Sequence, residues 1–194
     1  MLKAVIFDLF GVLVGRGFDE TYRHAGGDPN YDHEFIEAIL DQANKGQITG
    51  LEFETKIAQH IGTSVEKYEQ AVVEVEQPDF ELLNFIKALR QTYKTAILSN
   101  VNTGVIEHKI ESKWLRDCFD AVILSAEVGF LKPQPEIYEY TAKKLGVEVG
   151  ECVFIDDREG YVEAAQAIGM EGIVYRNFIQ MKDQLKTVLA DSNQ

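Results

Sequence analysis

Five short runs of apolar, largely β-branched positions punctuate the chain: Ala4 to Phe7, Thr95 to Leu98, Ala121 to Leu124, Cys152 to Ile155 and Gly172 to Tyr175. Their hydrophobicity is nearly continuous instead of alternating, the pattern of strands covered on both faces. Between them, apolar positions recur at helical spacing over Asp79 to Gln91, Gly104 to Trp114, Pro135 to Leu145, Tyr161 to Ile168 and Phe178 to Leu189. This alternation of strand and helix predicts an α/β fold, a parallel sheet flanked by helices. Gly146 and Gly169 stand just past two of the helices, where a left-handed C-cap is wanted.

One stretch breaks the alternation. Gly15 to Gln77 carries helical patterns with no buried strand among them, and so reads as a small all-α insertion after the first strand. Thr49-Gly50-Leu51-Glu52 and Thr63-Ser64-Val65-Glu66 both fit the capping box T-x-x-E, which starts helices near Gly50 and Ser64. Gly15, Gly17, Gly26, Gly27 and Pro29 predict an irregular loop leading into the insertion, and Gln77-Pro78 before Asp79 marks the return to the sheet. The expected division is residues 1–14 with 78–194 as the α/β core and 15–77 as the insertion.

Composition narrows the class. The chain has 194 residues with 45% hydrophobic and 26% charged side chains, enough for one globular core and a modest insertion. Its formal charge of −13 sets a field that repels phosphate backbones and anionic membranes, so neither nucleic acid nor a membrane surface is an expected partner. A small anionic ligand would need a local cation to overcome that field. The N-terminal apolar run is interrupted by Asp8 and lacks a small-residue cleavage site, and no segment reaches the roughly 20 apolar residues of a membrane span. Cys118 and Cys152 have neither metal-binding nor redox spacing and read as reduced core residues. The cytosol is therefore the expected compartment.

Ligands of open parallel sheets bind outside the carboxyl ends of the strands. Polar residues gather there: Asp8 after the first strand, Ser99-Asn100 after the second, Lys132 in the loop after the third and Asp156-Asp157 after the fourth. Two adjacent acids on one turn repel each other unless a cation or a hydrogen-bond network compensates, and magnesium, which prefers oxygen ligands, suits such a pair. Taken singly, each residue has a plainer reading: Asp8 as a turn cap, Ser99-Asn100 as an Asx-turn, Lys132 as a solvated lysine, the acid pair as a helix cap.

In order, Val5-Ile6-Phe7-Asp8-Leu9-Phe10-Gly11-Val12-Leu13, Leu98-Ser99-Asn100, Leu131-Lys132-Pro133-Gln134-Pro135-Glu136-Ile137-Tyr138 and Phe154-Ile155-Asp156-Asp157 resemble the four motifs of the haloacid dehalogenase-like hydrolase superfamily. The resemblance covers almost the whole chain. It implies a Rossmann-like core, and the insertion resembles the small helical cap of the first subclass. The acid pair resembles the fourth-motif variant with adjacent aspartates. By this resemblance Asp8 is the nucleophile that takes up a phosphoryl group, and Lys132 neutralises both Asp8 and the phosphate. Ser99, Asn100 and Lys132 bind the phosphoryl group. Mg2+ is held by Asp8, the Phe10 backbone carbonyl and Asp157, with Asp156 assisting directly or through water. The expected partner is a small phosphorylated molecule.

The sequence departs from that pattern at two positions. The superfamily's phosphatases carry Asp-x-Asp in the first motif, the second Asp acting as acid and base, and here that residue is Phe10; a hydroxyl position two residues later is Val12. Three readings follow: a magnesium-dependent phosphatase acting through Asp8 without the usual acid/base, a halide-releasing hydrolase attacking carbon through Asp8, and a catalytically weak binding protein. Arg16, Tyr22 and His24 near the start of the insertion are candidate substrate contacts, each equally readable as a surface or core residue. Spacing does not select among His24, His33 and His60 as a stand-in acid. Substrate identity and oligomeric state have no signature in the sequence.

Overall fold

In the computed structural model, which describes residues 1–15, 17–101 and 105–192, the apolar runs pair into one five-stranded, wholly parallel sheet. The strands are β1 (Ala4–Phe7), β2 (Lys94–Ser99), β3 (Ala121–Leu124), β4 (Cys152–Asp156) and β5 (Glu171–Val174), in the order β3-β2-β1-β4-β5. Residues alternate between faces along each strand. Val5 and Phe7 of β1 face a layer built on Leu82, Leu83, Ile86, Met181 and Leu185, while Ala4 and Ile6 face one built on Ile137, Tyr138, Ala142 and Ala165. Both faces are covered, which is why the runs carry no polar alternation.

Helices supply those layers. On the first face lie α5 (Phe80–Leu89), α6 (Val105–Lys109), α7 (Ser112–Cys118) and α11 (Phe178–Asp191); on the second lie α9 (Pro135–Leu145) and α10 (Glu159–Ala167). A single turn of helix, α8 (Ser125–Val128), follows β3. Asp79 caps α5, its Oδ1 accepting from Leu82 N at 2.9 Å. Gly146 closes α9 at φ +73°, a left-handed conformation open to glycine at no steric cost.

The insertion consists of α1 (Gly17–His24), α2 (His33–Asn44), α3 (Gly50–Ile61) and α4 (Val65–Val75), which bury their own apolar cluster of Tyr22, Ile36, Ile39, Ile57, Ala58 and Tyr68. The Thr49 capping box is complete: Thr49 Oγ1 accepts from Glu52 N at 3.2 Å, and Glu52 Oε2 accepts from Thr49 N at 2.8 Å. At the next helix the cap is Ser64, which accepts from Lys67 N, and the amide of Thr63 donates back to Ala58 of α3.

Other expectations need correction. The predicted loop around Gly17 is helical from Gly17 onward; a Cβ there would lie 3.1 Å from the Phe10 ring, so glycine lets the helix start against that side chain. The single helix expected over Gly104 to Trp114 is two, α6 and α7, separated at Ile110 and Glu111, and Gly104 lies outside the described residues. The last strand spans Glu171–Val174, one residue earlier than expected. No helix among the described residues is long and apolar enough to cross a membrane.

Candidate active site

Three adjacent strands deliver the site. Parallel register aligns the ends of β2, β1 and β4, so Ser99, Asp8 and Asp156 emerge side by side at the carboxyl edge of the sheet. The Asp8 amide donates to Ile155 O at 2.9 Å, extending the β1–β4 pairing by one residue and fixing where its side chain leaves the strand. Carboxylate oxygens of Asp8, Asp156 and Asp157 all lie within 4.8 Å of one another.

Lys132 reaches into this group from the loop after α8. Its Nζ donates to Asp8 Oδ1 at 2.7 Å and to Asp156 Oδ2 at 2.6 Å, with only 1% of the residue exposed. The solvated-lysine reading is thereby excluded. Asn100 clamps the loop that carries Lys132: its Oδ1 accepts from Lys132 N at 2.8 Å, and its Nδ2 donates to Lys132 O at 2.9 Å. The Asn100 side chain is thus committed to placing Lys132, which leaves its backbone N–H as the group it can offer to a ligand. Ser99 is buried at the end of β2 and lines the same cleft.

The two acids of the pair differ. Asp156 is fully buried with both oxygens engaged, Oδ2 by Lys132 and Oδ1 by the amide of Arg158 at 2.8 Å. Asp157 is half-buried, and among the described residues no other residue donates a hydrogen bond to its carboxylate, which its own backbone N–H alone engages. Gly11 makes room for it: the backbone there has φ +82°, and a Cβ would lie 2.5 Å from Asp157 Oδ2. The Phe10 carbonyl likewise accepts no hydrogen bond among the described residues.

Electrostatics follow from burial. Desolvation pushes the Asp8 carboxyl up to about 6, opposed by Lys132 and reinforced by the Asp156 charge. Asp157 is also raised, by desolvation and then by Asp156. Lys132 moves upward, because the two carboxylates outweigh the cost of burying its charge. Three carboxylates against one ammonium leave an excess of negative charge, and two oxygen donors stay open to a ligand: the Phe10 carbonyl and the Asp157 carboxylate, which only its own backbone N–H engages. That donor set fits a hard divalent cation.

The cleft above these residues has a volume of about 1880 Å3, and α1 to α4 line its far side with Phe18, Arg23, Leu40, Leu51, Phe53 and Tyr68. Of the candidate contacts in the insertion, Tyr22 is fully buried in the helical cluster, its hydroxyl on Asp32 at 2.9 Å, so it is a core residue. His24 pairs with Glu74 at the surface, and His60 pairs with Asp32 and stacks on Phe35. None of His24, His33 and His60 lines the cleft, and Arg16 lies outside the described residues. Sequence reasoning missed Arg158, Tyr161 and Arg176, which line the cleft beside Asp157. Each lies outside the motifs and carries no spacing signal of its own.

Comparison with known proteins agrees with this arrangement. The haloacid dehalogenase-like hydrolase family matches residues 2–169. A D-ribitol-5-phosphate phosphatase of Bacteroides thetaiotaomicron is 27% identical over 204 residues, spanning 97% of this chain and 99% of that protein. A phosphorylated carbohydrates phosphatase of Thermotoga maritima is 28% identical over 188 residues, 89% of this chain and 84% of that protein. Among solved structures, a haloacid dehalogenase family enzyme of Bacteroides thetaiotaomicron in complex with magnesium and inorganic phosphate superposes with a TM-score of 0.72 at 26% identity, covering 91% of this chain and 95% of that one.

Proposed function

Because the chain belongs to the haloacid dehalogenase-like hydrolases, we propose that it is a magnesium-dependent phosphatase that takes the phosphoryl group of a small phosphate ester onto Asp8. The observation that carries this reading is the convergence of Asp8, Asp156 and Asp157 with the buried Lys132 at one edge of the sheet. Two relatives are named for D-ribitol 5-phosphate and for phosphorylated carbohydrates, which supports small sugar and polyol phosphates as the substrate class. The retained acid pair favours phosphoryl transfer over halide release, which requires no cation.

Asp8, Asp157 and the Phe10 carbonyl would hold the magnesium, with Asp156 steadying the group through Lys132. When bound, the ion supplies charge neutralisation for the acids and the phosphate. An Asp8 carboxylate oxygen attacks phosphorus, the ester P–O bond breaks, and the alcohol leaves with a proton from solvent. Water then attacks phosphorus in the aspartyl phosphate, releasing inorganic phosphate and regenerating the carboxylate. Lys132, Ser99 and the Asn100 backbone hold the phosphoryl oxygens throughout. Phe10 transfers no proton, so both steps forgo the typically 10²–10⁴-fold help of a positioned acid and base. Residues 15–77 act as the helical cap of the first subclass over a core of 1–14 and 78–194, excluding water from the cleft. The two buried free cysteines support the reducing cytosol as its compartment.

The test is phosphate release from a panel of small phosphate esters, with magnesium and with chelator, by the wild type, Asp8→Asn and Phe10→Asp. Magnesium-dependent release is expected, abolished in Asp8→Asn and raised about 100-fold in Phe10→Asp. Release that survives in Asp8→Asn removes Asp8 as the nucleophile, and release indifferent to chelator removes the metal.

A further inference from the structure

Tyr161 belongs to none of the four motifs, yet it touches the cation at their centre. It sits in the first turn of α10, half-buried, and lines the cleft. Lys132 Nζ lies over its ring, 5.1 Å from the centroid, and over the Phe154 ring at 5.4 Å. The guanidinium carbon of Arg158 is 5.4 Å from the same Tyr161 centroid, and Arg158 Nη1 donates to the Tyr161 hydroxyl at 3.3 Å. The backbone that carries the ring is anchored: the Tyr138 hydroxyl donates to the Tyr161 carbonyl at 2.9 Å, and Tyr138 stands edge-on to Phe154 with centroids 5.3 Å apart.

An ammonium has three N–H donors. Lys132 gives two, to Asp8 and Asp156, and the third meets no acceptor among the described residues. Aromatic faces attract a cation through their quadrupole without claiming an N–H in a directed bond. Two rings can therefore hold the desolvated charge in place while the third donor stays available to an oxygen entering from the cleft. A polar acceptor in place of the ring would compete for that donor.

We propose that Tyr161 is a positioning residue: its ring braces the Lys132 ammonium and the Arg158 guanidinium so that both cations meet the phosphoryl group of the substrate. This rests on the phosphatase reading, in which Lys132 faces phosphate. Among the described residues no carboxylate forms a contact ion pair with Arg158, and Asp157 and Asp8 act on its charge only at longer range, so its guanidinium can turn to a phosphoryl oxygen.

Tyr161→Phe keeps the ring and Tyr161→Leu removes it while keeping apolar volume. Phosphate release should be within about 2-fold of wild type for the Phe variant and lower by about 10-fold for the Leu variant, the loss falling on kcat more than on KM. A second readout is independent of turnover. The urea midpoint should fall for Tyr161→Leu in the Lys132 background and by less than half as much in a Lys132→Met background. If Lys132→Met does not fold, recovery of kcat by Phe but not by Leu decides. Equal damage from Phe and Leu, or equal midpoint shifts in both backgrounds, overturns the proposal. If the wild type releases no phosphate from any ester, the phosphatase reading falls, and the urea measurement decides the role of Tyr161 by itself.

Discussion

Gly11 shows how closely the site is built at the level of single residues. Its backbone is left-handed at φ +82°, and a Cβ would sit 2.5 Å from Asp157 Oδ2. Gly11→Ala must strain the loop and displace the one carboxylate in the group that no other residue holds by a hydrogen bond. Magnesium affinity should fall by about 10- to 100-fold in calorimetric titration; an unchanged affinity would show that Asp157 is not a ligand. Asp8 yields a pH dependence with a definite sign. Its pKa is raised to about 6, first by desolvation, so the metal-free protein keeps a proton on Asp8 below that pH. The cation must displace this proton, so affinity should weaken by up to about 10-fold per pH unit below 6 and be flat above about 7. Affinity that does not change down to pH 5 would contradict this. That Asp8, Lys132, Asp156 and Asp157 come together was legible in the sequence, because each follows the carboxyl end of a strand in one parallel sheet. The clamp of Asn100 on the Lys132 backbone and the ring of Tyr161 beneath Nζ were not legible, since both depend on contacts across more than twenty residues that leave no local pattern.

Secondary-structure elements were read with unequal success, for physical reasons. Ala4–Phe7 and Ala121–Leu124 matched to the residue, because a run buried on both faces ends where polarity begins. The Thr49 box was also read correctly, being a purely local motif. The break between α6 and α7 was missed, since apolar spacing continues across it. What ties the helical insertion to the sheet domain was equally hidden. Glu76, just past α4, is buried; its Oε1 accepts from Thr21 Oγ1 of α1 at 2.9 Å, and its Oε2 pairs with Lys109 Nζ of α6 at 2.8 Å. Glu76→Ala leaves Lys109 as an uncompensated cation with little access to water, and should cost about 3 kcal/mol in urea unfolding. A loss under about 1 kcal/mol would mean that this link is not what joins α1, α4 and α6.

Across the whole molecule, the sheet order places β1 between β2 and β4, so acidic residues as far apart in sequence as Asp8 and Asp157 close into one group. The net charge of −13 opposes an anionic substrate at long range, and the site answers locally with Lys132, Arg158 and Arg176 in the cleft. Acidic side chains otherwise outnumber basic ones around the cleft, so attraction for an anion is local to these cations. The sequence showed the sign of that conflict and one of the cations that resolve it, but not the two arginines, which are brought in by the turns after β4 and β5. Phe10 remains the main departure from the pattern of the motifs, and under the proposed function it would leave both steps without a positioned acid and base while keeping Asp8 in place. The claim that phosphorus is transferred to Asp8 can be tested directly by acid-quenching the wild-type protein during turnover of a phosphate-labelled small ester with magnesium. Label should be found covalently bound to the peptide containing Asp8, and be lost in Asp8→Asn and in the presence of chelator. Turnover that leaves no label on that peptide, or label that persists in Asp8→Asn, would contradict it.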